Sequence, residues 1–567
     1  TAFVMQGKHL DGFKPVFFRL VDTAQDSKEI ELKAGLNRFD STVQDDFKKI
    51  PGSPVAYWVN DRTWNCFEEN KKISDVSRIR EGINTGDNER FLRRWWEVEL
   101  QNIGFKNNIL DEFYYKWAPH NKGGSFRRWY GNQEYVMNWY ANGQEIHDYH
   151  NVPLDYNGAP VRGKAGFFKE SISWSRISSG SFALRYYPHG FTYDSTAPSI
   201  FCRTINSLAL GGFLNSKVVN HLLSVMSPTL DFRITNLNNL PIAQFDQETV
   251  VGEVTKLTKL SKTDWDSYEA SWGFTQNPVI RTQQPNLKQA FHTWQQQNAD
   301  AVAEMKRLEE ENNKLFIEAY GLQDELTPDV PDEQITLTRA DREKDSQRLV
   351  SYAIGCMMGR YSLDEPGLIY AHAGNQDFDA GRYQKFPADA DGIIPLTEMH
   401  WFEDDATHRI REFLTAVWGK DMLDTNMQWL AESLDKKANE TSEDTIRRYL
   451  ASKFYKDHMQ TYKKRPIYWL FSSGKQGAFQ ALVYLHRYNE STLARMRTEY
   501  VMPLISKMSA MANSLESEIE NSDSAAEIKR KEKELQNLHK QQAELSSFEE
   551  KLRHFADQRI HLDLDDG

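Results

Sequence analysis

Residues 286–322 read NLKQAFHTWQQQNADAVAEMKRLEEENNKLFIEAYGL, and this stretch separates two unlike parts of the chain. Its apolar residues recur at the spacing of one helix face. They are Phe291, Trp294, Met305, Leu308, Leu315 and Phe316. Gly321 favours the end of a helix, and Pro328 and Pro331 cannot continue one. The stretch therefore predicts a long helix over 286–320, which we interpret as a spacer.

The parts on either side of this helix have different patterns. Residues 1–245 read as mixed α/β, with short β-rich runs at 16–21, 55–59, 182–187 and 191–193 between turn residues. A helical spacing follows in GFLNSKVVNHLL at 212–223. Residues 338–500 read as mainly helical, and helices are predicted over 405–418, 422–437 and 443–458.

The end of the chain predicts a helical hairpin. One apolar stripe runs from Leu504 to Ile519, and a second, close to a heptad repeat, runs from Ile528 to Phe555. The stretch NSDSA at 521–525 separates them. Two antiparallel helices that serve as an arm explain this pattern, and a dimerising coiled coil is the alternative.

These patterns predict an α+β multidomain chain, because 567 residues exceed the size of one hydrophobic core. The expected units are a mixed α/β domain at 1–245, a helical spacer at 246–337, a mainly helical C-terminal lobe at 338–503 and a helical hairpin arm at 504–567.

Composition limits the possible functions. The net charge of −12 argues against indiscriminate coating of nucleic acid, although residues 113–189 hold nine Lys and Arg against five Asp and Glu. No apolar run reaches the length of a membrane span, and the N-terminus has no signal-peptide pattern. Three distant cysteines indicate neither a disulfide framework nor a zinc site, so we expect a reducing cytoplasm. The lack of an initial Met leads us to interpret the chain as a fragment.

The segment NKGGSFRRWYGNQEY at 121–135 is the strongest candidate for a binding loop. Lys122, Arg127 and Arg128 can each meet a phosphate, and Gly123 and Gly124 let backbone N–H groups approach an anion. Trp129 and the neighbouring aromatic residues can stack on bases, and Asn132 and Gln133 can read base edges. The alternative is a surface hairpin whose aromatic residues belong to a local core.

Three further segments hold candidate contacts to nucleic acid. INTGDNERF (83–91) offers Asn88 and Arg90, SISWSRISSGSFALRYYPHGF (171–191) offers Ser175, Arg176, Ser178, Ser179 and Arg185, and KRPIYWLFSSGK (464–475) offers Arg465 and Lys475. Small hydroxyl groups interleaved with arginines suit phosphate positioning. The alternatives are a structural turn, a solvated hairpin and a buried core strand, respectively.

Several catalytic motifs are missing from the sequence. There is no GxxxxGK[ST] phosphate loop, GxGxxG, HExxH or Cys/His cluster at zinc spacing. Nor is there an Asn-Pro-Pro-Tyr type tetrapeptide, with which an amino-methyltransferase holds a flipped base. We therefore predict no catalytic residue and no metal site in this chain.

Taken together, the segments resemble one family. INTGDNERF, KWAPHNKGGSFRRWYGNQEYVMNW, ISWSRISSGSFALRYYPHGF, GGFLNSKVVNHLL with NLNNLPI, NKLFIEAYGLQDEL and KRPIYWLFSSGKQGAF occur in this order. In this order they resemble the adenine-specific DNA methyltransferases of the BREX phage-defence system, known as PglX or BrxX, downstream of the catalytic domain. The resemblance covers most of residues 10–560. Each block alone is a weak signal, whereas their order is specific.

The resemblance implies a whole enzyme that transfers a methyl group from S-adenosylmethionine to the N6 of an adenine in a short asymmetric site. The family's donor-binding and Asn-Pro-Pro-Tyr motifs lie upstream, so the resemblance leaves target recognition and DNA clamping to this chain, with no cofactor of its own. In that reading Lys122, Arg127, Arg128, Arg176 and Arg185 position phosphates, and Asn88, Arg90, Asn132 and Gln133 are candidates for base edges.

The implied partners are double-stranded DNA, other BREX proteins and an acidic phage protein that mimics DNA, in the bacterial cytoplasm and without a membrane. Two other functions stay open. One is a protein-interaction scaffold that docks other defence subunits. The other is an enzyme complete in itself, such as a nuclease, which the missing pattern of metal-binding carboxylates disfavours.

Overall fold

The computed structural model describes residues 3–5, 7–8, 10–21, 23–105, 113–177, 181–226 and 231–565. The chain is 49% helical and 10% strand, which confirms the predicted α+β class. No helix among the described residues is both long enough and apolar enough to cross a bilayer.

The elements before the long helix are short strands and helices. They are β1 (Phe17–Phe18), α1 (Lys28–Ala34), β2 (Arg38–Phe39), α2 (Asp61–Glu69), β3 (Lys71–Lys72), α3 (Ile73–Val76), β4 (Ser77–Arg80), α4 (Asn88–Phe91), β5 (Leu92–Arg94), β6 (Trp117–Asn121), β7 (Tyr135–Asn138), α5 (Tyr140–Tyr149), β8 (Ser171–Trp174), β9 (Leu184–Tyr187), β10 (Thr192–Tyr193), β11 (Ser199–Cys202), α6 (Ser207–Leu214), α7 (Lys217–Met226), α8 (Ile234–Asn238), β12 (Pro241–Ile242), α9 (Gln247–Trp265) and α10 (Pro278–Arg281).

From the long helix onward the chain is mainly helical. The elements are α11 (Leu287–Tyr320), α12 (Arg342–Met357), β13 (Ile393–Pro395), α13 (Ala406–Trp418), α14 (Leu423–Ser433), α15 (Ser442–Ser452), α16 (Phe454–Thr461), β14 (Tyr468–Ser472), β15 (Gln480–Tyr484), α17 (Thr492–Arg495), α18 (Met502–Glu520) and α19 (Ala525–Asp557). A π-helical stretch, Met496–Val501, joins α17 to α18.

The helix predicted over 286–320 is confirmed as α11, which has 34 residues. The side chain of Asn286 caps its first turn by accepting a hydrogen bond from the Gln289 backbone N–H. At the other end Gly321 adopts a left-handed conformation (φ 63°), which a residue without a Cβ adopts at low cost. Both boundaries therefore follow from local chemistry.

The helix α11 is buried in two hydrophobic cores. The C-terminal core combines its first half with Trp95, Trp96 and buried residues of α12 to α15. The N-terminal core combines its second half with buried residues of α6, α7 and α9. To the first core α11 contributes Leu287, Ala290, Phe291 and Trp294, and to the second Met305, Leu308, Phe316, Ile317 and Tyr320. The predicted spacer thus belongs to both of the bodies that it connects.

Two four-stranded sheets lie in the first part of the chain. One has the order β10-β6-β7-β5, with β10 parallel to β6 and the other pairs antiparallel. The second has the order β4-β11-β8-β9 and is antiparallel throughout. The pair β8 and β9 confirms the strand–turn–strand predicted over 171–191.

The tail forms the predicted helical hairpin. Helices α18 and α19 flank the NSDSA segment and pack against each other. The buried residues Leu538, Leu545 and Leu552 of α19 pack in one cluster with buried residues of the antiparallel sheet β13-β15-β14. The predicted core strand of the KRPIYWLFSSGK segment is β14 of this sheet.

Three expected elements differ in detail. Residues 55–59 are irregular instead of a strand, with a turn at Tyr57 and Trp58 just before Asn60, which caps α2. Residues 212–223 span two helices, because the Asn215 side chain bonds both backbone groups of Leu184. The helix expected over 443–458 divides at Lys453 into α15 and α16.

We expect Gly212→Ala to destabilise the packing of α6 on α9. An added methyl group would lie 2.7 Å from Cγ1 of Val250 and 2.9 Å from Cγ2 of Val254. Such overpacking should lower the free energy of unfolding by about 1–3 kcal/mol in urea denaturation. Gly211→Ala is the control, since the nearest atom, Cγ2 of Ile172, is 3.9 Å away. Equal effects of the two substitutions would contradict this packing.

We expect His486 to make stability depend on pH. Burial lowers the pKa of this imidazole from its ordinary 6.5 to about 3, with the charge of Arg360 acting in the same direction. As pH falls below 6.5, the unfolded chain therefore takes up a proton that the folded protein refuses. The loss should reach about 1.4 kcal/mol per pH unit for this group.

The measurement is urea denaturation of the wild type and of His486→Asn between pH 6.5 and 5. The variant should lose stability less steeply as pH falls, whatever its absolute stability. Parallel curves would show that His486 also takes up its proton in the folded state.

Candidate nucleic-acid interface

The predicted binding loop connects β6 to β7 and needs backbone conformations that favour glycine. Gly123 and Gly124 have φ values of 78° and 145°. A Cβ on Gly124 would lie 2.8 Å from the side chain of Asn132. Only a glycine therefore fits position 124 without displacing Asn132, which donates to the Ser125 backbone carbonyl at 2.8 Å.

Arg127 fixes the loop to α9. Its guanidinium donates to the Asp264 carboxylate at 2.6 Å, to the Ser261 carbonyl at 3.1 Å and to the Tyr130 carbonyl at 2.8 Å. Both members of the ion pair are buried. Burial raises the pKa of Asp264, while Arg127 acts against that rise. The guanidinium is thus bonded inside the protein.

Arg128 and Trp129 fix the loop to α11. One oxygen of Glu309 accepts from the Arg128 guanidinium at 2.7 Å, and the other accepts from Nε1 of Trp129, also at 2.7 Å. Glu309 is 2% exposed and Trp129 is 3% exposed. A phosphate could reach Arg128 only if this buried pair opened, which would leave a charge without its partner.

Arg185 is also inside the protein, beneath the loop. It is 1% exposed and donates to the Ser175 hydroxyl at 3.1 Å and to the Arg127 carbonyl at 3.4 Å. The same Ser175 hydroxyl accepts from the Gly124 N–H at 3.0 Å and donates to its carbonyl at 2.9 Å. Arg185 thus supports the loop tip from below. Gln133 is buried too, at 1% exposure.

Lys122 lies at the edge of the loop, between α4 and β10. Its ammonium group donates to Asp194 at 2.6 Å and to Oδ1 of Asn88 at 3.1 Å. Burial alone would raise the pKa of Asp194, but the neighbouring His120 and Lys122 hold it well below its usual range. The carboxylate therefore keeps its charge and orients Lys122 toward α4.

Two exposed arginines lie on or beside the short helix α4. Arg90 pairs with Glu145 at 2.8 Å and lies over the Tyr149 ring. Arg465 pairs with Glu89, although the two residues are far apart in the chain. We call Asn88, Arg90, Lys122 and Arg465 the α4 face. The α4 face therefore combines residues from three of the predicted segments. They are Asn88 and Arg90 from 83–91, Lys122 from 121–135 and Arg465 from 464–475.

The segment that carries Arg465 is held in place by carboxylates. Lys463 and Arg94 both pair with Glu134, a buried residue of the β6–β7 loop. Nε1 of Trp96 donates to the Arg465 carbonyl at 3.0 Å. The connection between α16 and β14 is thus fastened to the sheet that carries α4 and the loop.

The remaining predicted residues are not members of the α4 face. Arg176 pairs with Asp231 at 3.0 Å, and its neighbour Ser175 touches Gly124. Lys475 is exposed in the β14–β15 turn, which Glu544 of α19 holds by accepting backbone hydrogen bonds. Ser178 and Ser179 lie outside the described residues.

The carboxylates that orient these cations were not singled out from the sequence. Asp194, Asp264 and Glu309 lie 72 to 181 positions from the basic residues that they bind. No local spacing pattern marks such pairs, because they arise only when distant elements pack. Among the described residues, no three His, Cys, Asp or Glu side chains form a group that could hold a metal ion.

No protein-family model matches this sequence. The chain is 39% identical over 597 aligned residues to the adenine-specific methyltransferase BrxX of Escherichia coli O9:H4 (strain HS). It is also 39% identical over 589 residues to the adenine-specific methyltransferase PglX of Lacticaseibacillus casei (strain Zhang). Each alignment covers 100% of this chain and 48% of the relative, so the chain spans about half the length of both. The resemblance inferred from the ordered segments is confirmed.

We expect Glu309→Ala to cost about 3–5 kcal/mol in the free energy of unfolding, because it leaves Arg128 buried without its counter-charge. The control is Glu311→Ala on the same helix, since Glu311 pairs with Arg307 at an exposed site and should contribute at most about 1 kcal/mol. Chemical denaturation checks both values. Similar losses for the two variants would show that the Arg128–Glu309 pair does not hold the loop.

Proposed function

We propose that this chain recognises and clamps duplex DNA for a site-specific adenine-N6 DNA methyltransferase of the BREX phage-defence system. It would correspond to a C-terminal portion of the whole enzyme, and a domain outside this sequence would transfer the methyl group. The similarity to two adenine-specific methyltransferases along the full chain, but over only 48% of their length, carries this proposal. The missing Asn-Pro-Pro-Tyr type tetrapeptide supports the same division of roles.

The α4 face supplies the proposed phosphate contacts. Arg90 and Arg465 are half exposed, and their partners Glu145 and Glu89 are 45% and 80% exposed at the side chain. Exposed ion pairs contribute at most about 1 kcal/mol, so a phosphate can replace the carboxylate at low cost. An arginine then binds the phosphate through two parallel hydrogen bonds.

The buried arginines serve a different purpose in this proposal. Arg127, Arg128 and Arg185 hold the β6–β7 loop against α9, α11 and β9, so that the exposed tip at Gly124 and Ser125 has a defined position. A site held within a fraction of an ångström loses little entropy when its ligand binds. Asn88 beside the loop is the exposed candidate for a base edge.

S-adenosylmethionine is the methyl donor that the resemblance implies for the whole enzyme. A cavity of about 440 Å³ beside α1 is large enough for part of it, but Arg19 there would repel the positively charged sulfonium group. Glu31 in the same cavity already accepts from Thr23 and Asn37. These residues do not fit the donor.

A scaffold role is the second candidate. Large apolar side chains near the start of the chain are exposed, among them Phe3 at 73%, Met5 at 80% and Ile30 at 68%. Exposed apolar surface is typical of protein contacts. Other BREX proteins are the proposed partners there, whereas an acidic phage protein that mimics DNA would compete for the α4 face. The bacterial cytoplasm is the proposed location.

We expect the double variant Arg90→Ala, Arg465→Ala to bind duplex DNA more weakly, and by the same factor for every DNA sequence. Log affinity falls linearly with log salt, and each phosphate contact makes this line steeper by about 0.9. The line for the double variant should therefore be less steep by about 2. Affinity at low salt should fall by roughly tenfold per lost contact. Fluorescence anisotropy of labelled duplexes over a salt series measures both quantities.

The matched control is the double variant Arg307→Ala, Arg495→Ala, which removes two ion-paired arginines elsewhere whose side chains are 50% and 41% exposed. It should leave the slope unchanged. An unchanged slope in the α4-face variant would assign the DNA contact to another surface. Absence of any salt-dependent binding by the wild type would favour the scaffold.

A further inference from the structure

The side-chain amide of Asn88, on the α4 face, has an oxygen whose hydrogen-bonding capacity is already used. This Oδ1 accepts from the Thr85 hydroxyl at 2.7 Å and from the Lys122 ammonium group at 3.1 Å. An amide oxygen has two lone pairs, and these two donors occupy both. A donor on a ligand therefore finds no free position on the oxygen of Asn88.

Lys122 also decides which way this amide is oriented. An ammonium group carries three N–H donors and no acceptor, so the atom of Asn88 that bonds it must be the oxygen. The nitrogen, Nδ2, has no hydrogen-bond partner among the described residues, and Asn88 is exposed. Asn88 therefore offers a ligand two N–H donors and no acceptor.

Lys122 offers one further donor beside this amide. Two of its three N–H groups bond Asp194 at 2.6 Å and Asn88 at 3.1 Å. The third has no partner in the part of the chain that the structure describes, and the side chain is 22% exposed, so a ligand can reach it. Because Lys122 and Asn88 are bonded to each other, their free donors lie close together.

Buried residues hold this pair of side chains in position. Thr85 and Asp194 are each 2% exposed. The other oxygen of Asp194 accepts from the backbone N–H and from the hydroxyl of Thr196, both at 2.7 Å. The carboxylate therefore cannot turn away from Lys122 without losing these bonds. Donors that are fixed in this way select a ligand more strictly than mobile ones.

The pattern of adjacent donors without an acceptor matches one base edge in the major groove. Guanine presents two acceptors there, N7 and O6, whereas adenine presents the acceptor N7 beside the N6 donor, and cytosine presents the N4 donor. Thymine presents one acceptor, O4, beside a methyl group. The usual contact of asparagine with adenine needs a free amide oxygen to accept from N6, and Asn88 has none.

We propose that Asn88 and Lys122 together read a guanine of the DNA target in the major groove. Nδ2 of Asn88 and the free N–H of Lys122 donate to N7 and O6 of this base. The assignment rests on the proposed recognition of duplex DNA and adds one base to it. Arg90 and Arg465 contact phosphates on the same face, so they contribute affinity while Asn88 and Lys122 contribute specificity.

The test is selection of duplexes from a random-sequence library by the whole chain, followed by sequencing of the bound DNA. Asn88→Asp keeps one oxygen for Thr85 and Lys122 and replaces the outward N–H donors by an acceptor. Where the wild type selects guanine at one position, the variant should select cytosine or adenine, whose amino groups can donate to it. Asn513→Asp, the same charge change at an exposed position of α18, is the control and should select the wild-type sequence.

Modified bases test the same contact with the wild-type protein, so this measurement does not depend on how a variant folds. Each guanine of the selected duplex is replaced in turn by 7-deazaguanine, which lacks N7, and binding is followed by fluorescence anisotropy. At the position that Asn88→Asp changes, this replacement should weaken binding about threefold or more. Inosine, which lacks only the minor-groove amino group, should bind there as guanine does.

Three results would overturn the reading of guanine while leaving duplex recognition in place. The first is that Asn88→Asp selects the same sequence as the wild type. The second is that it weakens binding to every sequence equally and makes the salt dependence less steep, which would assign Asn88 and Lys122 to a phosphate. The third is that no guanine of the selected duplex is sensitive to loss of N7. If the wild type selected no sequence at all, both proposals would fall.

Discussion

The contact of Glu309 with Arg128 and Trp129 is the interaction on which the rest of the arrangement depends. Glu309 lies on α11, the helix that both main cores share, and its two oxygens hold adjacent residues of the β6–β7 loop. Because the three side chains are buried, the loop cannot move without exposing a charge pair and an indole together. A buried, hydrogen-bonded contact therefore joins the loop between β6 and β7 to the long helix.

Five of the candidate arginines divide into two groups by burial. Arg127, Arg128 and Arg185 are bonded within the protein, where their partners are fixed and solvent is excluded. Arg90 and Arg465 are exposed, and weak pairs hold them near α4. Only the second group can exchange a carboxylate for a phosphate at low cost. Rigidity and binding thus come from chemically identical side chains in different surroundings.

The segment around residues 462–465 lies between the C-terminal core and the α4 face. The Tyr462 hydroxyl donates to the buried Glu269, while its ring packs at 5.3 Å against Trp96. Three residues later, Arg465 pairs with Glu89 beside α4. One short, well-packed segment therefore links the C-terminal core to the α4 face.

The sequence by itself determined the local features. The α+β class, the limits of α11, the tail hairpin, β14 and the paired strands β8 and β9 follow from periodicity, caps and turn residues, which act over a few positions. It also indicated the family through the order of its segments. Tertiary structure alone decided which basic residues are buried and which are exposed. Asp264 and Glu309 lie 137 and 181 positions from the arginines that they bind, and Glu89 lies 376 positions from Arg465. Such pairs form when distant elements pack, and no spacing pattern in the chain encodes them.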